Sequence, residues 1–185
     1  MISIKWRVAH SPRARPEISS VSLELERDIG NQIEHKSIAT MLLYLDCCCF
    51  NRPFDDLSQI RVRLEAEAVE WILEESRSGR FTIVTSDYLI QELLRNPKPD
   101  HRVNTLAMTE YAGLHVPLME SVASRASQIE GLAIIGFNAL HIAAAEFAGC
   151  DYLVTTDDRL LKKSQRHPGQ LMVTLLNPID IILLP

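Results

Sequence analysis

Gly149-Cys150-Asp151-Tyr152-Leu153-Val154-Thr155-Thr156-Asp157-Asp158 sets a short apolar run between a glycine and an acidic pair. Tyr152–Thr155 has the length and continuous apolar character of a buried strand. An alanine-rich stretch, Asn138 to Ala148, leads into it as a helix, and Gly149 supplies the residue that commonly ends one. A helix that delivers the chain to a short, uniformly apolar strand is the repeating unit of a parallel sheet covered on both faces.

The same alternation extends in both directions. Upstream, Met41-Leu42-Leu43-Tyr44-Leu45-Asp46 opens abruptly as a buried strand closed by an acid. Apolar residues at Leu57, Leu64, Ala68, Trp71 and Ile72 follow a helical period from about Leu57 to Glu75. Phe81–Thr85 reads as a second strand, with Ser86 or Asp87 capping the helix after it, and Asn96-Pro97-Lys98-Pro99 ends that helix. A helix over Asp100–Tyr111, a strand at Leu114–Val116 and a helix over Met119–Glu130 follow. Downstream come a helix over Asp158–Gln165 and a last strand at Leu171–Leu176. The expected class is α/β, a Rossmann-like three-layer sandwich around a mostly parallel sheet of about five strands.

Residues 1–40 differ in character. They mix single apolar residues with charges and two prolines, and only Val21–Ile38 hints at an amphipathic helix, interrupted by Gly30. A methionine at 41, directly before the first core strand, fits an over-extended reading frame. A true N-terminal extension docking on the domain or a partner fits equally, and both readings stay open.

The 185 residues carry a net charge of −5, which argues against binding nucleic acid through a broad basic surface. An enzyme that meets nucleic acid locally and carries carboxylates for metal ions remains compatible. No apolar run approaches the ~20 residues of a membrane helix, and the start lacks a secretion signal, so a cytoplasmic protein without membrane attachment is expected. The cysteines at 47, 48, 49 and 150 show no Cys-x-x-Cys spacing, so they read as structural core residues.

Ligands of open α/β sheets bind beyond the carboxyl ends of the strands. Asp46, Thr85, Ser86, Asp157 and Asp158 fall there, Glu92 lies two turns into the helix after the second strand, and Asn138 opens the helix before a later one. Oxygen donors of this kind suit Mg²⁺ or Mn²⁺. Carboxylates gathered so closely repel one another unless a cation neutralises them. Glu92, among Leu89, Ile90, Leu93 and Leu94, is costly to bury without a partner.

Leu43-Tyr44-Leu45-Asp46 with Asn51-Arg52-Pro53-Phe54-Asp55-Asp56 resembles the opening of PIN-domain proteins. Ala139-Leu140-His141-Ile142-Ala143, followed by Ala148 through Leu161, resembles their closing block, which is the more specific of the two. The likeness spans about Met41 to the C-terminus and implies a PIN-like domain over residues 41–185. It implies Mg²⁺- or Mn²⁺-dependent ribonuclease activity on RNA. Many members of that family are toxins of toxin–antitoxin pairs, so an antitoxin protein and a homodimer are the partners it implies.

Position by position, Asp46 matches the first metal-binding acid, Glu92 the second, and Asp157 the acid after the late strand. A further family acid falls at Asn138. An amide oxygen can ligate a metal, but it brings no charge and cannot act as a base, so weakened metal binding is expected. The alternative is a PIN-fold module that binds nucleic acid or protein without catalysis.

Each residue also has a plainer role. Asn138 and Ser86 are good helix caps, with Ser86 able to hydrogen-bond to the acids. Asp157 is the preferred ligand and Asp158 the cap or outer contributor. His141, without a second histidine at metal spacing, reads as a packed core residue. Asp55 and Asp56 read as turn residues, and Arg52 and Arg159 as solvated charges. A phosphatase using Asp46 as nucleophile ranks low, because the second aspartate such enzymes place two residues on is here Cys48.

Overall fold

A computed structural model describes residues 40–184. The expected N-terminal extension up to residue 39, with its helix at Val21–Ile38, lies outside the described residues. The chain runs β1 (Met41–Leu45), α1 (Cys47–Asn51), a 3-10 turn (Arg52–Phe54), α2 (Ile60–Arg77), β2 (Phe81–Ser86), α3 (Asp87–Leu93) and α4 (Pro99–Met108). A second 3-10 turn (Thr109–Tyr111), β3 (Ala112–Val116), α5 (Glu120–Glu130), α6 (Phe137–Phe147), β4 (Tyr152–Val154), α7 (Asp158–Ser164), β5 (Thr174–Leu176) and α8 (Pro178–Ile182) follow.

The five strands form one sheet in the order β3-β2-β1-β4-β5, and every pairing is parallel. The expected α/β sandwich is therefore present, with the sheet wholly rather than mostly parallel. Leu43, Tyr44 and Leu45 of the central strand are fully buried, and every residue of β2 is buried. Successive side chains of a strand point to opposite faces, so Tyr44 faces one helical layer while Leu43 and Leu45 face the other. On Tyr44's side, α6 lies against β1, β2 and β4, and α3 and α5 pack on α6. The run Ala143-Ala144-Ala145, all buried, lets α6 approach this closely. α2 packs against β2 and α8.

Two elements differ from expectation. The residues after Asp46, to which the sequence assigns no element, form α1, with the Asp46 side chain accepting the Cys47 N–H as its cap. After β5, Asn177 and Asp180 form a reciprocal capping box with Pro178 in the first turn, which starts α8. The last strand begins at Thr174, three residues later than expected.

The chain steps from β1 to β2 and β3 on one side, then crosses back to place β4 on the other side of β1. The carboxyl ends of β1 and β4 thus flank the reversal of strand order, where parallel sheets leave a crevice for ligands.

Candidate metal centre

Asp46 follows the last residue of β1 at this reversal. Its backbone N–H donates to Val154 O at 2.9 Å, continuing the ladder with β4. Its carboxylate is 4% exposed and is met by three donors: Cys47 N–H at 2.7 Å, Thr155 Oγ1 at 2.7 Å and Cys48 Sγ at 3.3 Å. Burial of an acid without such partners would be prohibitive. Thr155 in turn accepts the Asp157 N–H at 3.1 Å, so one hydroxyl ties the ends of β1 and β4 to the start of α7.

Glu92 comes from the last turn of α3, and His141 from the middle of α6. One ligand atom from each of Asp46, Glu92 and His141 lies within 4.8 Å of the other two, the one such group among the described residues. His141 Nε2 is 2.6 Å from Glu92 Oε2 and 3.6 Å from Asp46 Oδ1. His141 is completely buried, whereas the Glu92 side chain is 30% exposed, so the group opens to solvent at Glu92.

Behind the cluster runs a buried hydrogen-bond chain. Ser86 Oγ caps α3 by accepting the Leu89 N–H, and lies 2.6 Å from Tyr44 Oη. Tyr44 Oη is 2.9 Å from His141 Nδ1. With Ser86 donating to Tyr44 and Tyr44 donating to Nδ1, the imidazole carries its proton on Nε2 and donates it to Glu92, which pairs every link. A phenol oxygen both donates and accepts, so the Tyr44–His141 link can also run the other way and leave the Nε2 lone pair for a cation. Burial, and next to it the charge of Asp46, push the Tyr44 phenol well above its ordinary range, so it remains a hydroxyl.

The sequence expectations fare unevenly. Asp46 and Glu92 come together. Ser86 acts both as cap and as the far end of the chain to the site. His141 is buried and hydrogen-bonded, as expected of a core residue, yet its bond is to the acids. Asp157 is not in the 4.8 Å group; its Oδ1 caps α7, accepting Arg159 N–H at 2.8 Å and Leu160 N–H at 3.2 Å. The capping role thus falls to Asp157 and not to Asp158, whose two oxygens are bridged by Arg61. Asn138 does not cap α6 either, because the cap position is Gly136. Asn138 sits in the first turn, three residues before His141 and so on the same side of the helix.

Thr155 and Cys48 bond the Asp46 carboxylate, and Tyr44 bonds His141, contacts that the sequence pattern does not disclose. A polar Thr155-Thr156 pair directly after an apolar strand was the available signal. Cys49 and Cys150 are buried as expected, whereas Cys47 and Cys48 are half-buried beside the carboxylates. Burial, then the charges of Glu92 and Asp46, push the Cys47 thiol far up. Arg52 is not a solvated charge: it pairs with Asp55 at 2.8 Å and with the buried Glu65 at 3.1 Å.

Two carboxylates and an imidazole within ligand distance of one another match the donor preferences of Mn²⁺, Zn²⁺ or Fe²⁺, and accommodate Mg²⁺ through the oxygens. The donor set therefore fits a divalent cation. No described helix is long and apolar enough to cross a membrane.

No family model and no curated protein matches the chain. Among solved structures, the chain is similar to one in the crystal structure of VapBC2 from Rickettsia felis bound to a DNA fragment from their promoter. The two share 17% identity over 74% of this chain and 98% of that chain, with a TM-score of 0.48.

Proposed function

We propose that this chain is a divalent-metal-dependent endoribonuclease that hydrolyses RNA phosphodiester bonds in the cytoplasm. The observation carrying the reading is the convergence of Asp46, Glu92 and His141 at the reversal of strand order. Asp46 and Glu92 would hold Mg²⁺ or Mn²⁺ with His141 beside them, Asn138 lending an amide oxygen and Asp157 the oxygen not used in its cap. When bound, such an ion neutralises the clustered acids, activates water and stabilises charge on the phosphate.

Around it the protein's own groups have distinct tasks. Thr155 and the Cys47 N–H fix the Asp46 carboxylate in one rotamer. The Glu92–His141 pair, joined at 2.6 Å, can take up the proton lost by an attacking water. The water oxygen bonds to phosphorus as one ribose oxygen leaves, and that oxygen recovers a proton. The resemblance in sequence to PIN domains supports this reading. It also supports a role as the toxin of a toxin–antitoxin pair, with an antitoxin protein as partner and a homodimer as the assembly.

Asn138 favours a second reading, a fold retained for binding nucleic acid or protein after catalysis was weakened. Calorimetry with Mn²⁺ and Mg²⁺, paired with RNA cleavage on the same samples, separates the two. We expect binding and cleavage in the wild type and neither in Asp46→Ala. Metal binding without cleavage would favour the second reading, and no specific binding at millimolar ion would remove the metal site altogether.

A further inference from the structure

Phe137, the first residue of α6, lies beside the metal cluster but takes no part in it. Its ring is 25° from the plane of the His141 imidazole, with 6.0 Å between centroids. The Arg95 guanidinium sits 4.6 Å from the centroid of the same ring. His141, Phe137 and Arg95 therefore follow one another from the buried acids to the exterior. Arg95 is exposed, and among the described residues no carboxylate pairs with it. The neighbouring Leu94 and Ile135 also expose large apolar side chains, at 48% and 68%.

We infer that the Arg95–Phe137 pair is a nucleotide-binding platform, taking one unpaired base and its phosphate next to the scissile bond. The inference rests on the nuclease reading of the adjoining centre. Three considerations support it. A chain with net charge −5 lacks the broad basic surface that would hold a duplex by its backbone, so its grip must be local. Guanidinium planes and aromatic rings stack on unpaired bases, which a helix withholds. A guanidinium placed over a ring still has N–H edges to offer a phosphate. Gly136, at φ 66° and ψ −136°, leaves the backbone before the platform without a side chain, and a Cβ there would meet nothing within 4 Å.

Fluorescence anisotropy in EDTA, with a labelled single-stranded RNA and its duplex, tests the platform without cleavage. We expect the single strand to bind more tightly than the duplex. Arg95→Ala, Arg95→Lys and Phe137→Leu should each weaken single-strand binding about tenfold, and Phe137→Tyr should preserve it. Lysine keeps the charge but not the plane, so full binding by Arg95→Lys would overturn the stacking role. Wild-type affinity in Arg95→Ala, an exposed position that leaves the fold intact, would overturn the platform. Cleavage that requires Asp46 together with binding indifferent to Arg95 would sink the platform alone. Binding that needs Arg95 in a protein with no metal-dependent cleavage would sink the nuclease reading alone.

Discussion

Tyr44 places a hydroxyl in the middle of the apolar central strand, where it bridges Ser86 and His141. Tyr44→Phe leaves both partners buried and short of a bond, which should cost about 1–3 kcal/mol in chemical denaturation. The same change frees the imidazole to reorient, so calorimetry should show Mn²⁺ affinity reduced about tenfold. Asn138→Asp should raise metal affinity and cleavage together; unchanged values in both would remove Asn138 from the site. Cys47 offers a third test. Because its thiol is held protonated by burial and by Glu92, it should alkylate slowly with iodoacetamide at pH 8, and Glu92→Gln should speed that labelling as one opposing charge is removed. Asp46 and Glu92 are legible as candidates because an acid at the end of, or within, an apolar run is costly unless partnered, and the structure gathers both with His141. His141 is not legible in this way. Its partners come from β1, from Asp46 just after it and from α3, and nothing within its own helix signals them. Asp157 and Asp158 show the converse limit: adjacent identical residues share every local signal, and only the fold shows that Asp157 takes the extended cap position while Asp158 pairs with Arg61.

At the level of elements, the start of α6 depends on a backbone conformation that only glycine adopts with ease. Gly136 has φ 66° and ψ −136°, and its N–H donates to Glu130 Oε1 at 3.1 Å. Gly136→Ala has open space for its methyl but not the dihedrals, so thermal or urea unfolding should show a loss of about 1–3 kcal/mol. Glu65 ties other elements together. Only 1% exposed, it joins Arg52 and Arg61 and accepts from Asn177 Nδ2 at 2.8 Å, linking α2 to the 3-10 turn and to the cap of α8. Strands and long helices of this fold could be read from periodicity, whereas α1 could not. Five residues give too little of a 3.6-residue pattern, and its three cysteines carry weak propensity. The Asn177-Pro178 start of α8 did carry a capping signature, but its five residues, like those of α1, give too little of a helical period to read.

For the molecule as a whole, a ligand that binds only the folded state adds to its stability. At a hundred times its dissociation constant, Mn²⁺ should contribute about 2.7 kcal/mol, which for a chain of this size raises the melting temperature by roughly 5–10 °C. Scanning fluorimetry should show that rise in the wild type, its reversal by chelator, and no rise in Asp46→Ala. The central strand also sets a schedule for the newly made chain. β1 is the first strand among the described residues and sits between β2 and β4, and the Thr155 hydroxyl that locks Asp46 comes from 109 residues further on. At ribosomal speeds of about 5–20 residues per second, Asp46 waits roughly 5–20 seconds for that partner. Until β4 and α6 leave the ribosome, the acids have no imidazole and no fixed rotamer. A chain that ends before Thr155 therefore cannot hold Asp46 in place, and one that ends before His141 cannot bring the three side chains together at all.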